Sequence, residues 1–84
     1  MLAIKVLGPG CENCTKLYTL AQKAAEAMGL EATITKVTDY AEIMTYPLLS
    51  TPGLVINEKL VCSGRLPTQA EVTTWLVDAE MASA

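Results

Sequence analysis

The chain has 84 residues, a formal net charge of −3 and no histidine. This length allows one small domain with one core, and an apolar fraction of 51% argues against disorder. The acidic balance argues against binding to nucleic acid or anionic membranes, and no apolar run approaches the length of a membrane span. We therefore predict a single domain over residues 1–84, with a frayed end at residues 79–84, and we expect a monomer.

The first predicted elements are a strand over residues 2–7 and a helix from about residue 13 to residue 28. The strand is a short apolar run bounded by Gly and Pro. The helix shows apolar residues at three- and four-residue steps, and Gly29 is suited to end it because Gly adopts the left-handed conformation without strain. Cys11 and Cys14 thus stand where a strand end passes into a helix start.

This position favours thiolate chemistry. A helix start has unpaired backbone N–H groups and the positive end of the helix dipole, and both stabilise a thiolate. Cys11 is the outer residue and would attack, whereas Cys14 lies one turn deeper on the same side, close enough to form a disulfide with Cys11. Glu12 opposes this effect weakly, since its carboxylate disfavours a second negative charge beside it.

The cysteine count indicates the compartment. Three cysteines are an odd number and too few for a disulfide framework. The chain starts directly with an apolar strand rather than with a basic and apolar leader, so we predict a cytoplasmic protein. In a reducing compartment the Cys11-x-x-Cys14 pair is more typical of a catalytic or metal-binding site than of a structural disulfide.

The middle of the chain predicts a strand over residues 30–37, with the inward face left open by its alternation. Asp39 and Glu42 have the spacing of a capping box, which predicts a short helix over residues 40–46 that ends at Pro47. Residues 48–50 are predicted to be a connection.

The last third predicts a β-hairpin followed by a helix. Two apolar runs at residues 54–56 and 60–62 are joined by three polar residues, which is typical of a hairpin. A loop follows, and the Thr68–Glu71 capping box predicts the start of the last helix. The order strand, helix, strand, helix, strand, strand, helix predicts a right-handed crossover and a mixed four-stranded sheet with helices on its faces.

This arrangement, with CxxC after the first strand, resembles the thioredoxin fold. It is most similar to the small thioredoxin-like and glutaredoxin-like redox-active disulfide proteins of prokaryotes, over about residues 4–76. Besides CxxC, the resemblance is carried by residues 37–39, by Thr51-Pro52-Gly53 ahead of the hairpin, and by residues 63–65. It implies an α/β fold of thioredoxin-like βαβαββα order, with helices on both faces of a mixed four-stranded sheet.

The resemblance also implies a substrate-binding site. In this family Thr51–Pro52 is a cis peptide bond that lies against the cysteines, and the Thr51 backbone can pair with an extended substrate segment. Gly53 and Gly64 would keep that groove open. The sequence by itself also allows an ordinary turn at Thr51-Pro52, because cis is the minority isomer.

The chain departs from thioredoxin itself at the site. Glu-Asn replaces Gly-Pro between the cysteines, and no Trp precedes them. The position of the buried carboxylate of thioredoxins corresponds to Lys5, which could lower a thiol pKa, although an ammonium that reaches the surface is the simpler interpretation. These differences put activity toward standard thioredoxin substrates in question.

Other candidate residues have simpler structural interpretations. Cys62 alternates with Leu60 in a strand and is expected to be buried packing. The spacing of Gly8-x-Gly10 matches part of a dinucleotide motif, but the chain is too short for that fold. Other side chains are expected to be core or half-buried aromatics (Tyr40, Tyr46, Trp75), gap fillers or surface methionines (Met44, Met81), or a solvated charge (Arg65).

The leading hypothesis is a thiol–disulfide oxidoreductase. Cys11 would attack the disulfide of a substrate protein or a small molecule, and Cys14 would resolve the mixed disulfide. A separate flavin-type disulfide reductase would restore the dithiol, because the chain has no room for a flavin or nicotinamide site and we expect no cofactor of its own.

The alternative is a soft-metal or metalloid chaperone that uses the same two cysteines, since thiolates suit Cu(I) and Zn. No histidine is present and Cys62 is the only further soft ligand, so one chain cannot build a closed tetrahedral zinc site. We therefore expect no resident metal.

Overall fold

The structure, a computed structural model, describes residues 2–10, 12–47 and 50–83. Seven elements follow the predicted order: β1 (Leu2–Leu7), α1 (Glu12–Ala27), β2 (Ala32–Val37), α2 (Tyr40–Ile43), β3 (Gly53–Ile56), β4 (Lys59–Ser63) and α3 (Gln69–Ser83). Within these ranges no helix is long and apolar enough to cross a membrane. Most of the predicted connection over residues 48–50 lies outside the described residues.

The four strands form one mixed sheet in the order β2-β1-β3-β4. β1 pairs in parallel with β2, as expected when a helix connects two neighbouring strands, and antiparallel with β3. β3 pairs antiparallel with β4, which completes the hairpin. The predicted α/β class and mixed four-stranded sheet are confirmed.

Helices cover both faces of this sheet. On one face, a core cluster that includes Ile4, Leu17, Leu54 and Leu76 joins the sheet to α1 and α3. On the other face a smaller cluster under α2 consists of four buried residues: Leu7, Val37, Ile43 and Val55.

The two clusters show which side chains of β2 lie on each face of the sheet, a point that the sequence leaves open. Ala32 and Ile34 pack on the face that α1 covers, whereas Val37 belongs to the cluster under α2. The strand begins at Ala32 rather than at residue 30, because the Leu30 N–H bonds to Ala25 O at 3.0 Å and the Gly29 N–H to Glu26 O at 3.1 Å. Gly29 has φ +66°, and these bonds form the Schellman motif that ends α1.

α2 is shorter than predicted. The Asp39 carboxylate accepts from the Ala41 N–H at 3.0 Å, so the N-cap is confirmed, but the bonds at Thr45 and Tyr46 reach back only three residues and the α-helix ends at Ile43. The expected burial of Tyr40 is wrong, since this side chain is 61% exposed. The helix buries Ile43 instead, whereas Tyr46 and Trp75 are half-buried as expected.

The hairpin turn has two residues rather than three. Asn57 and Glu58 have φ +51° and +68°, the left-handed pair of a type I′ turn, and Lys59 already belongs to β4. Asn57 also ties the turn to β1, because its N–H donates to Ala3 O at 2.7 Å and its Oδ1 accepts from the Ala3 N–H at 3.0 Å.

The capping box of the last helix is confirmed in both directions. The Thr68 N–H donates to the Glu71 carboxylate at 3.1 Å, and the Glu71 N–H donates to Thr68 Oγ1 at 3.2 Å. α3 then continues to Ser83. Fraying of this end stays a prediction.

Candidate functional site

The strand ends form one row across the sheet. Leu7 pairs with Val37 on one side and with Gly53 on the other, and Gly53 pairs with Ser63. The segments that follow β1, β2 and β4 and the segment that precedes β3 therefore meet at one edge of the sheet. We call this edge the site edge, because the predicted site residues belong to these segments or, in the case of Gly53, stand at the start of β3.

Cys14 lies in the first turn of α1, where backbone N–H groups and the helix dipole stabilise negative charge. Its side chain is only 6% exposed, and it is disulfide-bonded. Cys11, the predicted attacking residue, lies outside the described residues. Cys14 is thus recessed at the start of α1, and its role as the resolving cysteine stays a prediction.

Gly8 brings Cys14 and Thr51 together. Its N–H donates to Val37 O at 2.9 Å, which holds the end of β1 beside the end of β2. A Cβ atom at Gly8 would collide with Cys14 Sγ and would lie 3.1 Å from Cys14 Cβ and 3.8 Å from Thr51 Cβ. The sequence does not single out Gly8 for this role, and its one signal is a glycine three residues before the first cysteine.

The proline segment flanks the other side of Gly8. The Thr51–Pro52 peptide bond is cis, the isomer that the resemblance implies. Pro52 is buried and Thr51 is half-buried. Pro52 O accepts a hydrogen bond from the Gly64 N–H at 2.9 Å, which joins this segment to the residues that follow β4.

The two predicted groove glycines have different surroundings. Gly53 is buried in β3, whereas Gly64 is exposed and has φ +76°, a conformation that favours glycine. A Cβ at Gly64 would lie 2.5 Å from Ser50 Oγ. Gly64 therefore allows close packing against Ser50, and its predicted contact with substrate stays a prediction.

Lys5 lies in the sheet on the face that α2 covers, two residues before Leu7. Its ammonium donates to Glu58 Oε1 at 2.9 Å and to Tyr46 Oη at 3.1 Å, and Tyr46 Oη donates to Glu58 Oε2 at 3.2 Å. The hydrogen bonds with Tyr46 and Glu58 raise the pKa of Lys5, and the bonds from Lys5 and Tyr46 lower the pKa of Glu58. Lys5 reaches a surface carboxylate, as the simpler of the two interpretations expects.

Cys62 is buried packing, as predicted. It is a free thiol, 7% exposed, in the cluster beneath α1 and α3. Its Sγ donates weakly to Arg65 O at 3.7 Å, and burial raises the pKa of this thiol. A buried thiol with a raised pKa is a poor nucleophile at neutral pH.

Arg65, beside Gly64, is exposed as expected, and it is also held in place by an ion pair. Its guanidinium donates two hydrogen bonds to the Glu71 carboxylate, at 3.0 and 2.7 Å. The bond from Arg65 and the backbone bond from Thr68 lower the pKa of Glu71 to about 2. The loop after β4 is thereby fixed to the start of α3.

A separate cavity of about 420 Å³ lies between the hairpin and α3, lined by residues that include Asn57, Val61, Trp75 and Asp78. The hairpin turn is at the opposite end of the strands from the site edge, and none of the site residues that the structure describes lines this cavity. Within residues 2–10, 12–47 and 50–83, no cluster of three or more His, Cys, Asp or Glu side chains is placed to hold a metal ion.

Known proteins share this sequence pattern and fold. Residues 2–77 match the family model described as Thioredoxin domain. The chain is 36% identical over 72 residues to a thioredoxin of Methanocaldococcus jannaschii, covering 86% of this chain and 83% of that protein. It is 31% identical over 72 residues to a thioredoxin of Methanothermobacter thermautotrophicus, covering 86% and 94% of the two chains.

A solved structure confirms the fold. The crystal structure of the germline-specific thioredoxin protein Deadhead of Drosophila melanogaster superimposes with a TM-score of 0.64 over 92% of this chain and 79% of that chain. At 16% identity this likeness supports the fold alone.

Proposed function

Because the chain belongs to the thioredoxin family, we propose that it is a thiol–disulfide oxidoreductase that uses Cys11 and Cys14 to reduce or exchange disulfides of proteins or small molecules. Membership of the family supports a disulfide oxidoreductase type of function in general. The observation that carries the specific proposal is the position of Cys14, which is recessed in the first turn of α1 against Gly8.

The proposed reaction has two exchange steps. The Cys11 thiolate attacks one sulfur of the substrate disulfide, a Cys11–substrate disulfide forms, and the other substrate sulfur leaves as a thiolate that takes up a proton. The Cys14 thiolate then attacks the Cys11 sulfur and releases the second substrate thiol. The substrate disulfide gains two electrons and the dithiol loses two, which leaves a Cys11–Cys14 disulfide.

The cysteine states support this pairing. Cys14 is disulfide-bonded, whereas Cys62 is a free thiol in the core. Burial of Cys14 also supports the division of roles, because a cysteine that is 6% exposed is poorly accessible to a protein disulfide but can attack a sulfur of its own chain.

Thr51, Pro52, Gly53 and Gly64 are the proposed substrate-binding residues. Thr51 is close to Gly8 and half-buried, so its backbone is placed at the site edge rather than in the core. An extended substrate segment would add to this backbone by strand-like pairing. A separate flavin-type disulfide reductase would return the protein to the dithiol form, and a cytoplasmic location and a monomeric state remain predictions.

Single cysteine variants test the proposal. Cys11→Ser should abolish reduction of insulin and of a small neutral disulfide, whereas Cys14→Ser should accumulate mixed disulfides detectable by mass spectrometry. Cys62→Ala is the matched control and should keep the activity, because this thiol lies in the core. Unchanged reduction by Cys11→Ser would refute the proposed function.

The soft-metal alternative is not favoured by family membership. Titration of the reduced protein with Cu(I) or Zn checks it independently. Binding no tighter than about millimolar, which corresponds to roughly 4 kcal/mol, would remove the alternative.

A further inference from the structure

Exposed apolar side chains flank the site edge. Five large apolar side chains are exposed in the described part of the chain, and three of them belong to segments that begin at the site edge. Tyr40 and Met44 follow β2 and are 61% and 73% exposed, and Leu66 follows β4 and is 39% exposed. Exposed apolar residues that occur singly are ordinary, whereas neighbouring exposed apolar residues mark an interaction surface, and Tyr40 and Met44 are such neighbours.

The anchoring of α2 explains why Tyr40 and Met44 face solvent. Ile43 is buried against Leu7, Val37 and Val55, and it is the residue through which the helix enters the core. Tyr40 and Met44 are four residues apart and therefore lie on one side of the helical turn. We call the exposed residues Asp39, Tyr40, Glu42 and Met44 the α2 surface.

The α2 surface is acidic as well as apolar. Residues 38–46 include Asp39 and Glu42 and contain no Lys or Arg. Lys36 precedes this segment, but its ammonium lies 4.6 Å from the centroid of the Tyr18 ring of α1, on the other face of the sheet. The charge that a partner meets at α2 is therefore negative.

Basic residues elsewhere around the site edge are neutralised by ion pairs. In α1, Lys16 Nζ lies 3.2 Å from Glu12 Oε1, and after β4 the Arg65 Nη2 atom lies 2.7 Å from Glu71 Oε2. An acidic and apolar rim is complementary to basic and apolar side chains on a partner, and it disfavours an anionic one.

We propose that the α2 surface docks the polypeptide that carries the substrate disulfide, and that it favours disulfides flanked by basic and apolar residues. The inference rests on the proposed function, since the dithiol performs the exchange while the α2 surface contributes to binding. It narrows the substrate class within that function, from any disulfide to cationic and apolar protein segments. Tyr40 and Met44 provide the apolar contact, and Asp39 and Glu42 the charge selection.

The apolar contact is tested with Met44→Ser. The measurement is the second-order rate constant for oxidation of the reduced full-length protein by a synthetic peptide disulfide with Lys and Leu beside its cysteines, followed by acid quench and thiol alkylation. We expect about a fivefold loss, as for an interface side chain that contributes about 1 kcal/mol. Met81→Ser on α3 is the matched control, because Met81 is 72% exposed and Met44 73%.

Two results of this measurement would overturn the docking role. One is an equal loss for the two methionine variants, and the other is an equal loss of Met44→Ser on the small neutral disulfide bis(2-hydroxyethyl) disulfide. The expected result is an unchanged rate with this small disulfide for both variants.

The charge selection is tested with two peptide disulfides that differ only in Lys or Glu beside the cysteines. The wild-type protein should react faster with the Lys peptide than with the Glu peptide. The ratio of these two rate constants should be about threefold smaller in the Asp39→Asn/Glu42→Gln double variant. Asn retains the capacity to cap α2. Glu31→Gln, which changes an exposed residue just before β2, is the control and should leave the ratio unchanged.

The outcomes separate the two proposals. A reduced wild-type protein that does not react with the small neutral disulfide refutes the proposed function and, with it, this inference. A protein that reacts with the small disulfide but has equal rates with the Lys and Glu peptides, or keeps its preference in the double variant, refutes the α2 surface alone.

Discussion

Replacement of Gly8 by Ala is the sharpest perturbation of the candidate site. The backbone tolerates it, because Gly8 is not among the glycines with positive φ. The new Cβ, however, would collide with Cys14 Sγ and lie 3.1 Å from Cys14 Cβ. Ordinary carbon contacts are about 3.5–4.0 Å, so rotation of the sulfur alone does not clear both atoms. Gly8→Ala must shift the end of β1 or the start of α1.

The loss of folding stability in Gly8→Ala depends on whether the disulfide is formed. Overpacking of this kind typically costs about 1–3 kcal/mol. The disulfide fixes Cys14 Sγ in the oxidised protein, whereas in the reduced protein the sulfur can move to another rotamer and relieve part of the clash. We therefore expect the full loss in the oxidised form and about half of it in the reduced form. Each difference of about 1.4 kcal/mol raises the reduction potential by about 30 mV, because the disulfide form is the one destabilised.

The assay combines urea unfolding of both redox forms with equilibration in dithiothreitol buffers. Gly29→Ala is the control, because Gly29 has φ +66° and a Cβ added there would meet no atom within 4 Å. Its backbone cost, about 1 kcal/mol, should be the same in the two forms and leave the potential unchanged. An equal loss of stability in both forms of Gly8→Ala, or no loss, would refute the contact between Gly8 and the sulfur.

Three further predictions concern stability. Glu58→Gly should raise the melting temperature at high salt, because it relieves a left-handed non-glycine residue and salt weakens the exposed ion pair that it removes; a fall of more than about 4 °C, roughly 1 kcal/mol, would contradict this. The pKa of Glu71 is lowered from 4.5 to about 2, chiefly by Arg65. The ionised Glu71 therefore stabilises the fold fully above pH 4.5, and this stabilisation is lost as the pH falls toward 2. Urea unfolding from pH 7 to 2 should show that the wild-type protein loses its stability advantage over Glu71→Gln in that pH range. Cys62→Ser should lower stability by about 1–3 kcal/mol in urea unfolding while disulfide reduction is retained, because it buries a hydroxyl in an apolar cluster; lost activity in a folded variant would contradict a purely structural role.

Local signals in the sequence predicted the element order well. The Thr68–Glu71 box and the stop at Gly29 depend on residues within one turn of each other, and both are observed. The Asn57-Glu58 turn was harder to place, because Glu is rare at a left-handed position. The Glu58 carboxylate accepts a hydrogen bond from Lys5, and because these residues are 53 positions apart, no local sequence pattern contains this contact.

The sequence proposes the cysteines and the proline of the candidate site but contains no signal for the packing around them. The spacing of CxxC and Thr-Pro is visible in the chain, whereas the fit of Gly8 against Cys14 and Thr51 exists only after β1, α1 and β3 have come together. The exposure of Tyr40 has the same origin. An aromatic beside a helix start predicts burial, yet the fold needs only Ile43 from α2 to complete the small cluster.

Lys5 does not take the role of a carboxylate at the dithiol. It stands where the resemblance places a buried acid, but its ammonium is held by Tyr46 and Glu58 on the face that α2 covers. This ammonium stays protonated, because its hydrogen bonds raise the pKa of Lys5, and it therefore cannot accept a proton as a carboxylate would. Cys14 is instead influenced by the first turn of α1 and by the missing Cβ of Gly8. Both belong to the backbone, so the reactivity of the dithiol should respond more to changes that move the end of β1 than to changes of surface charge.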